Sequence, residues 1–143
     1  MKKLSDSVYS RCLYFSSNAL ARKIEKIAAG SWKNVNLSPS HGYLLMLVME
    51  EPGIQPMTLS NQLQLEPSTI TRLIDKLEEK KLLIRTTEGK ITNVYPTPKA
   101  KELLPKMKQC VADFYDRSGA LVGKDESEKL IKSITRVADK LAD

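Results

Sequence analysis

Apolar residues along this chain recur every three or four positions over long stretches, separated by short breaks rich in Pro, Gly, Ser and Asp. That period is the mark of helices that bury one face. The spacing predicts a first helix over Leu4 to Ala29, with Leu4, Val8, Cys12, Phe15 and Ala19 on one side and Tyr9, Leu13, Leu20, Ile24 and Ile27 on another. One neighbour cannot cover both sides. The apolar run Tyr43 to Met49, opened by Ser38-Pro39 and closed by Pro52-Gly53, suits a buried second helix. Gln55 and Pro56 then open a short helix in which Leu59 and Leu63 stand one turn apart.

A more polar helix follows. From Pro67 to Lys81, Ile70, Leu73, Ile74 and Leu77 form one apolar stripe, while Ser68, Thr69, Thr71, Arg72, Asp75 and Lys76 lie off it. Gln64, Leu65 and Glu66 make a tight connection to the helix before, which is the spacing of a helix-turn-helix. Next come two stretches of β-forming residues, Leu82 to Thr87 and Ile91 to Pro96, flanking Glu88-Gly89 as the expected hairpin turn. Arg85, Lys90 and the hydroxyls of Thr86 and Thr87 are expected on or near its tip. Thr97 is placed to cap a long helix with Pro98 at its first position. In that helix Leu103, Met107, Cys110 and Phe114 stripe one face, Leu104, Val111, Tyr115 and Val122 stripe a second, and Pro105 is expected to bend the start. Beyond Gly119 and Gly123, Asp125 with Glu128 has the spacing of a capping box ahead of the stripe Leu130, Ile134, Val137 and Leu141.

The fold class expected from these patterns is mainly α with a small two- or three-stranded β wing. It is a winged helix-turn-helix lobe over 37–96, with dimerisation helices over 4–35 and 97–142, all within one domain, 1–143. A major groove admits one helix, and short hydroxyls with a long cation near the helix start can reach base edges and phosphates there. Ser68, Thr69, Thr71, Arg72 and Lys76 on the helix, with Arg85 and Lys90 on the wing, are therefore the candidate DNA-binding residues. A solvated polar face on an ordinary surface helix, or a winged module that binds a protein partner, would read much the same.

Charge sharpens this picture. The chain holds 23 Lys and Arg against 17 Asp and Glu, a net charge of +6. The excess falls in the stretch through Lys33 and in the segment from Arg72 to Lys101, whereas the C-terminal part is nearly balanced. The sequence Met1-Lys2-Lys3-Leu4-Ser5-Asp6-Ser7 is not that of a secretion signal, and no apolar stretch approaches a membrane span of ~20 residues, so a cytoplasmic location away from membranes is expected. Catalysis finds no purchase. His41 is the single histidine, so no metal site or cofactor is expected, and Glu50-Glu51 and Glu78-Glu79, adjacent in sequence, point to different sides of their helices.

The run Leu63-Gln64-Leu65-Glu66-Pro67-Ser68-Thr69-Ile70-Thr71-Arg72-Leu73-Ile74-Asp75-Lys76-Leu77-Glu78 closely resembles the recognition-helix pattern of the MarR family of bacterial transcriptional regulators. A second stretch, Pro96-Thr97-Pro98-Lys99-Ala100-Lys101-Glu102-Leu103, is similar to the family's segment after the wing. The resemblance spans Leu37 to Leu104. It departs from the family at Lys81, where Gly is usual and positive φ is wanted, at Ser60 and Ala100, where Ala and Gly are usual, and at a short wing carrying Glu88-Gly89-Lys90 in place of Asp, any, Arg.

The resemblance implies a homodimer whose terminal helices interleave about a twofold axis, bound to a palindromic operator on double-stranded DNA. It also implies a repressor released by a small aromatic or lipophilic effector. Tyr9, Tyr14, Phe15, His41 and Tyr43, with Trp32 and Met46, are the candidate effector residues, although aromatics at helical spacing equally suit a core. A branch of the family senses organic peroxides through a cysteine near tyrosines in the first helix, and Cys12 beside Tyr9 and Tyr14 is similar. Cys12 is thus the candidate redox residue, against a buried thiol acting as a small apolar group.

Overall fold

The computed structural model describes residues 3–142. Met1, Lys2 and Asp143 lie outside the described residues, so the expectation for the amino-terminal signal rests in part beyond them. Two compact units divide the chain, one made by the residues up to Ser31 with those from Val111 onward, the other by Trp32–Cys110. The second unit is wider at both ends than the lobe expected over 37–96.

In the unit Trp32–Cys110, a single 3-10 turn at Lys33–Val35 leads into α2 (Pro39–Glu50), α3 (Pro56–Leu63), α4 (Pro67–Glu79), strands β1 (Leu83–Glu88) and β2 (Ile91–Pro96), and the first part of α5 (Pro98–Val122). All four helices begin on proline, whose absent N–H is one the first turn could not have bonded. Ser38 caps α2, its side chain accepting from the His41 N–H. Leu44, Leu45, Val48, Leu59, Ile70, Ile74, Leu77, Leu83 and Val94 are exposed by 1% or less and make the core. Three of the four apolar positions predicted for α4 are thus buried in it, with Leu73 at its edge. Trp32 is wholly buried, and a Cβ on Gly42 would come within 2.0 Å of its ring. Glycine at 42 is what lets α2 approach the indole.

The wing is a two-stranded antiparallel ribbon in which Glu88 pairs with Ile91, so Gly89-Lys90 is the turn and not Glu88-Gly89. The reason is local. Gly89 has φ +63, the positive value a two-residue hairpin asks of its first central position, and Glu88 could take it only with strain. Ile54 adds one bridge to Val94 in place of a third strand.

The other unit contains α1 (Leu13–Ser31), the rest of α5 and α6 (Lys124–Lys140). Here two expectations are corrected. The first helix begins at Leu13 and not at Leu4, because serines before it divert the backbone into turns. Leu4–Asp6 is a 3-10 turn, Ser7 Oγ accepts the Tyr9 N–H at 3.1 Å, and Ser16 Oγ donates to the Ser10 carbonyl at 2.7 Å. The capping box at Asp125 and Glu128 does not form. Gly123, with φ +95, caps α6 without a side-chain bond, and Asp125 and Glu126 instead stand in the first turn, where their charge suits the helix dipole. Pro105 lies inside α5, which runs on through it.

Candidate nucleic-acid interface

The outward face of α4 is built by its buried one. Ile70, Ile74 and Leu77 turn into the core, which leaves Ser68, Thr71 and Arg72 exposed and Thr69 half-buried near the helix start. Behind them the turn from α3 is held by a hydroxyl. Gln64 takes the left-handed conformation at φ 54, Leu65 N–H reaches the Ser60 carbonyl at 3.2 Å, and Ser60 Oγ donates to the Leu65 carbonyl at 2.5 Å. Ser60, which stands where the MarR family usually has Ala, therefore does something Ala could not. Thr71 Oγ1 donates to the Pro67 carbonyl at 3.1 Å, leaving its lone pairs to accept, and Arg72 reaches Thr69 Oγ1 only at 3.4 Å. Arg72 is thus a loosely held, exposed cation one turn into the helix.

The wing residues divide. Lys90 is exposed at the hairpin tip, as the sequence implied. Arg85 is not near the tip; it stands in mid-strand opposite Val94, with Nη2 2.7 Å from Asp75 Oδ1 and 2.9 Å from Glu78 Oε1. Its backbone N–H donates to the other Glu78 oxygen at 3.1 Å. The guanidinium holds the Glu78 carboxyl below the usual carboxylate range, and Glu78 in turn raises the Arg85 pKa. Neither acid stands out in the sequence as a partner for a wing arginine. An i, i+3 acidic pair ahead of a strand arginine is the only signal they gave.

At the far end of α4, Lys76 is exposed, with Glu79 at 3.8 Å, and Lys80 Nζ donates to the Asn36 carbonyl at 3.1 Å. Lys81 has φ +62, so the corner takes the left-handed conformation for which the family uses Gly. Thr97 ties this corner down. Its Oγ1 donates to the Lys81 carbonyl at 2.8 Å and accepts from the Ala100 N–H at 3.3 Å, forming the expected cap of α5.

The effector candidates fall in different units. Tyr9 stacks on Phe15 at 4.6 Å and Tyr14 meets Phe15 edge-on at 5.1 Å, all three being exposed. In the other unit Trp32 lies 5.6 Å from Tyr43, Met46 is half-buried, and the His41 ring is 2.5 Å from Ser38 Oγ. Burial first, then the ammonium groups of Lys80 and Lys76, lower the His41 pKa. Trp32 is core and offers no face to a ligand. Cys12 is an exposed thiol just ahead of α1, whereas Cys110 is buried. Among the described residues no group of His, Cys, Asp or Glu could hold a metal ion, and no helix is long and apolar enough to cross a membrane.

Comparison with known proteins places this geometry. Residues 35–90 match the MarR family. A curated relative, the uncharacterized HTH-type transcriptional regulator YybA of Bacillus subtilis (strain 168), is 26% identical over 93 residues, covering 63% of this chain and 62% of the relative's own length. The fold is similar to that of the transcriptional repressor CouR bound to a 23-mer DNA duplex, with TM-score 0.80, 21% identity and coverage of 96% and 99% of the two chains. It is likewise similar to CouR bound to p-coumaroyl-CoA, with TM-score 0.79, 23% identity and 96% of each chain covered. The MepR–DNA complex of S. aureus follows, with TM-score 0.77, 16% identity and coverage of 91% and 98%. The segment that matches the MarR family contains the α3–turn–α4 element, and the winged helix-turn-helix fold shared with these solved structures extends over nearly the whole chain.

Proposed function

We propose that this protein is a cytoplasmic, homodimeric, sequence-specific DNA-binding regulator that represses transcription from a palindromic operator and is released by a small ligand. One observation carries the reading. Ser68, Thr71 and Arg72 stand exposed at the start of a helix whose opposite face is locked into the core, which is the arrangement a major groove accepts. Relatives of the same fold were solved with DNA, and one of them, a repressor, also with an aromatic acyl-CoA.

A dimer is supported by what the terminal helices leave uncovered. Every buried apolar residue described belongs to Trp32–Cys110, while α1 and α6 line an open apolar groove of about 730 Å³ with Leu13, Leu20, Ile134 and Val137 among its walls. A second copy covering those helices would set two recognition helices roughly 34 Å apart, one DNA turn. An effector with an aromatic or lipophilic group suits the exposed cluster of Tyr9, Tyr14 and Phe15.

Selecting bound fragments from random duplex tests the proposal. The expected outcome is an inverted repeat with half-sites about 10 base pairs apart, centre to centre. No enrichment over input would refute it, and a protein-interaction module would be left. Repeating the assay with oxidant addresses the exposed Cys12: loss of binding that disappears in Cys12→Ser makes it a thiol sensor, and loss that persists removes that reading.

A further inference from the structure

Arg85 has the composition of a DNA contact and the geometry of something else. Its guanidinium lies between Asp75 and Glu78 of α4, and both oxygens of Glu78 are engaged, one by the side chain and one by the backbone N–H of the same arginine. Its side chain is 30% exposed, and the two acids give the trio a net negative charge, which a phosphate would repel. The turn at Gly89-Lys90 lies four residues further along the strand, roughly 13 Å away. Arg72, in contrast, precedes Asp75 by three residues, about 5 Å along α4. The trio thus ties the base of the wing to the middle of the reading helix, just behind the residues proposed to meet bases.

We infer that Arg85 is a positioning residue for DNA recognition: clamped by Asp75 and Glu78, it fastens wing to recognition helix so that Arg72 and Lys90 reach the duplex in one fixed arrangement. The inference rests on the DNA-reading proposal above. It assigns Asp75 and Glu78 a task in an interface where acidic residues would otherwise only weaken binding. One guanidinium nitrogen, Nη2, meets both acids, so a lysine ammonium could keep part of the clamp but with a shorter, more strongly hydrated head group.

The test compares the wild-type chain with Arg85→Ala, Arg85→Lys and the double variant Asp75→Asn/Glu78→Gln, each first shown to be folded by its far-ultraviolet spectrum. Amide hydrogen exchange is measured on the free protein. Binding to the selected and random duplexes is then measured from about 50 to about 200 mM salt. In Arg85→Ala the amides of Thr86 to Thr92 should exchange about tenfold faster while those of α2 are unchanged. Affinity for the selected duplex should fall about tenfold, more than for random duplex, with the salt slope preserved. Arg85→Lys should recover part of both losses. The double variant should also bind more weakly, although it removes two negative charges. The inference is overturned if Arg85→Ala lowers the salt slope by about one unit with wing exchange unchanged, and the double variant binds every duplex more tightly. If the wild-type chain ignores all duplexes while Arg85→Ala still speeds exchange across Thr86 to Thr92, the DNA reading fails and the structural clamp stands.

Discussion

Arg72 is the residue on which the recognition reading bears most directly, because it is exposed, lies near the start of α4 and is held only by a long 3.4 Å contact to the Thr69 hydroxyl among the described residues. Arg72→Ala should cost about 1–3 kcal/mol on the selected duplex and clearly less on random duplex, measured by titration at fixed salt. Equal losses would reduce it to a phosphate contact. His41 offers a different test. Burial and the nearby Lys80 and Lys76 hold its pKa below the ordinary 6.5, so the folded state resists protonation more than the unfolded chain does. Its contribution is complete above that ordinary value and is lost as pH falls through the depressed folded value. Thermal unfolding should therefore shift downward between pH 7 and about 5, and His41→Gln should flatten that part of the profile. A slope unchanged by the substitution would assign it to the carboxylates.

Among the elements, α4 carries a built-in compromise at its end. Lys81 adopts φ +62, a conformation that costs an L-residue about 1–2 kcal/mol, while glycine there would lose about 0.5–1 kcal/mol through its freer unfolded chain. Lys81→Gly should therefore stabilise the fold by about 0.5–1 kcal/mol in denaturant titration, since the backbone bonds at this corner involve no Lys81 side-chain atom. Destabilisation would show that the lysine side chain contributes more than the strain removes. Local signals made most of these elements legible. Prolines marked four helix starts, the stripe Ile70, Ile74, Leu77 fixed which side of α4 turns outward, and Gly89 fixed the hairpin. What escaped depended on partners distant in the chain or on competing short-range bonds. The serines before Leu13 broke a helix that apolar spacing alone would have continued to Leu4. Arg85 reads as a wing cation until the strand register carries it back to Asp75 and Glu78. Gly42 gives no sign in the sequence that a tryptophan ring will lie against it.

For the whole molecule, the contrast between a lobe with a packed core and terminal helices with none implies assembly. Ile134 and Val137 are 48% and 40% exposed on α6. Replacing both with Glu should leave the winged lobe folded, yield monomers in sedimentation and weaken binding to the selected duplex by about a hundredfold, because half-sites would then be engaged one at a time. A variant that stays dimeric would place the interface elsewhere. The most direct test of the account is the ratio of affinities for selected and random duplex, followed as salt rises. A helix that reads bases beside a wing that meets phosphates predicts at least ~10³-fold preference for the selected duplex, and affinity falling steeply with salt on both. Equal affinity for the two, or no measurable binding at low salt, would contradict it.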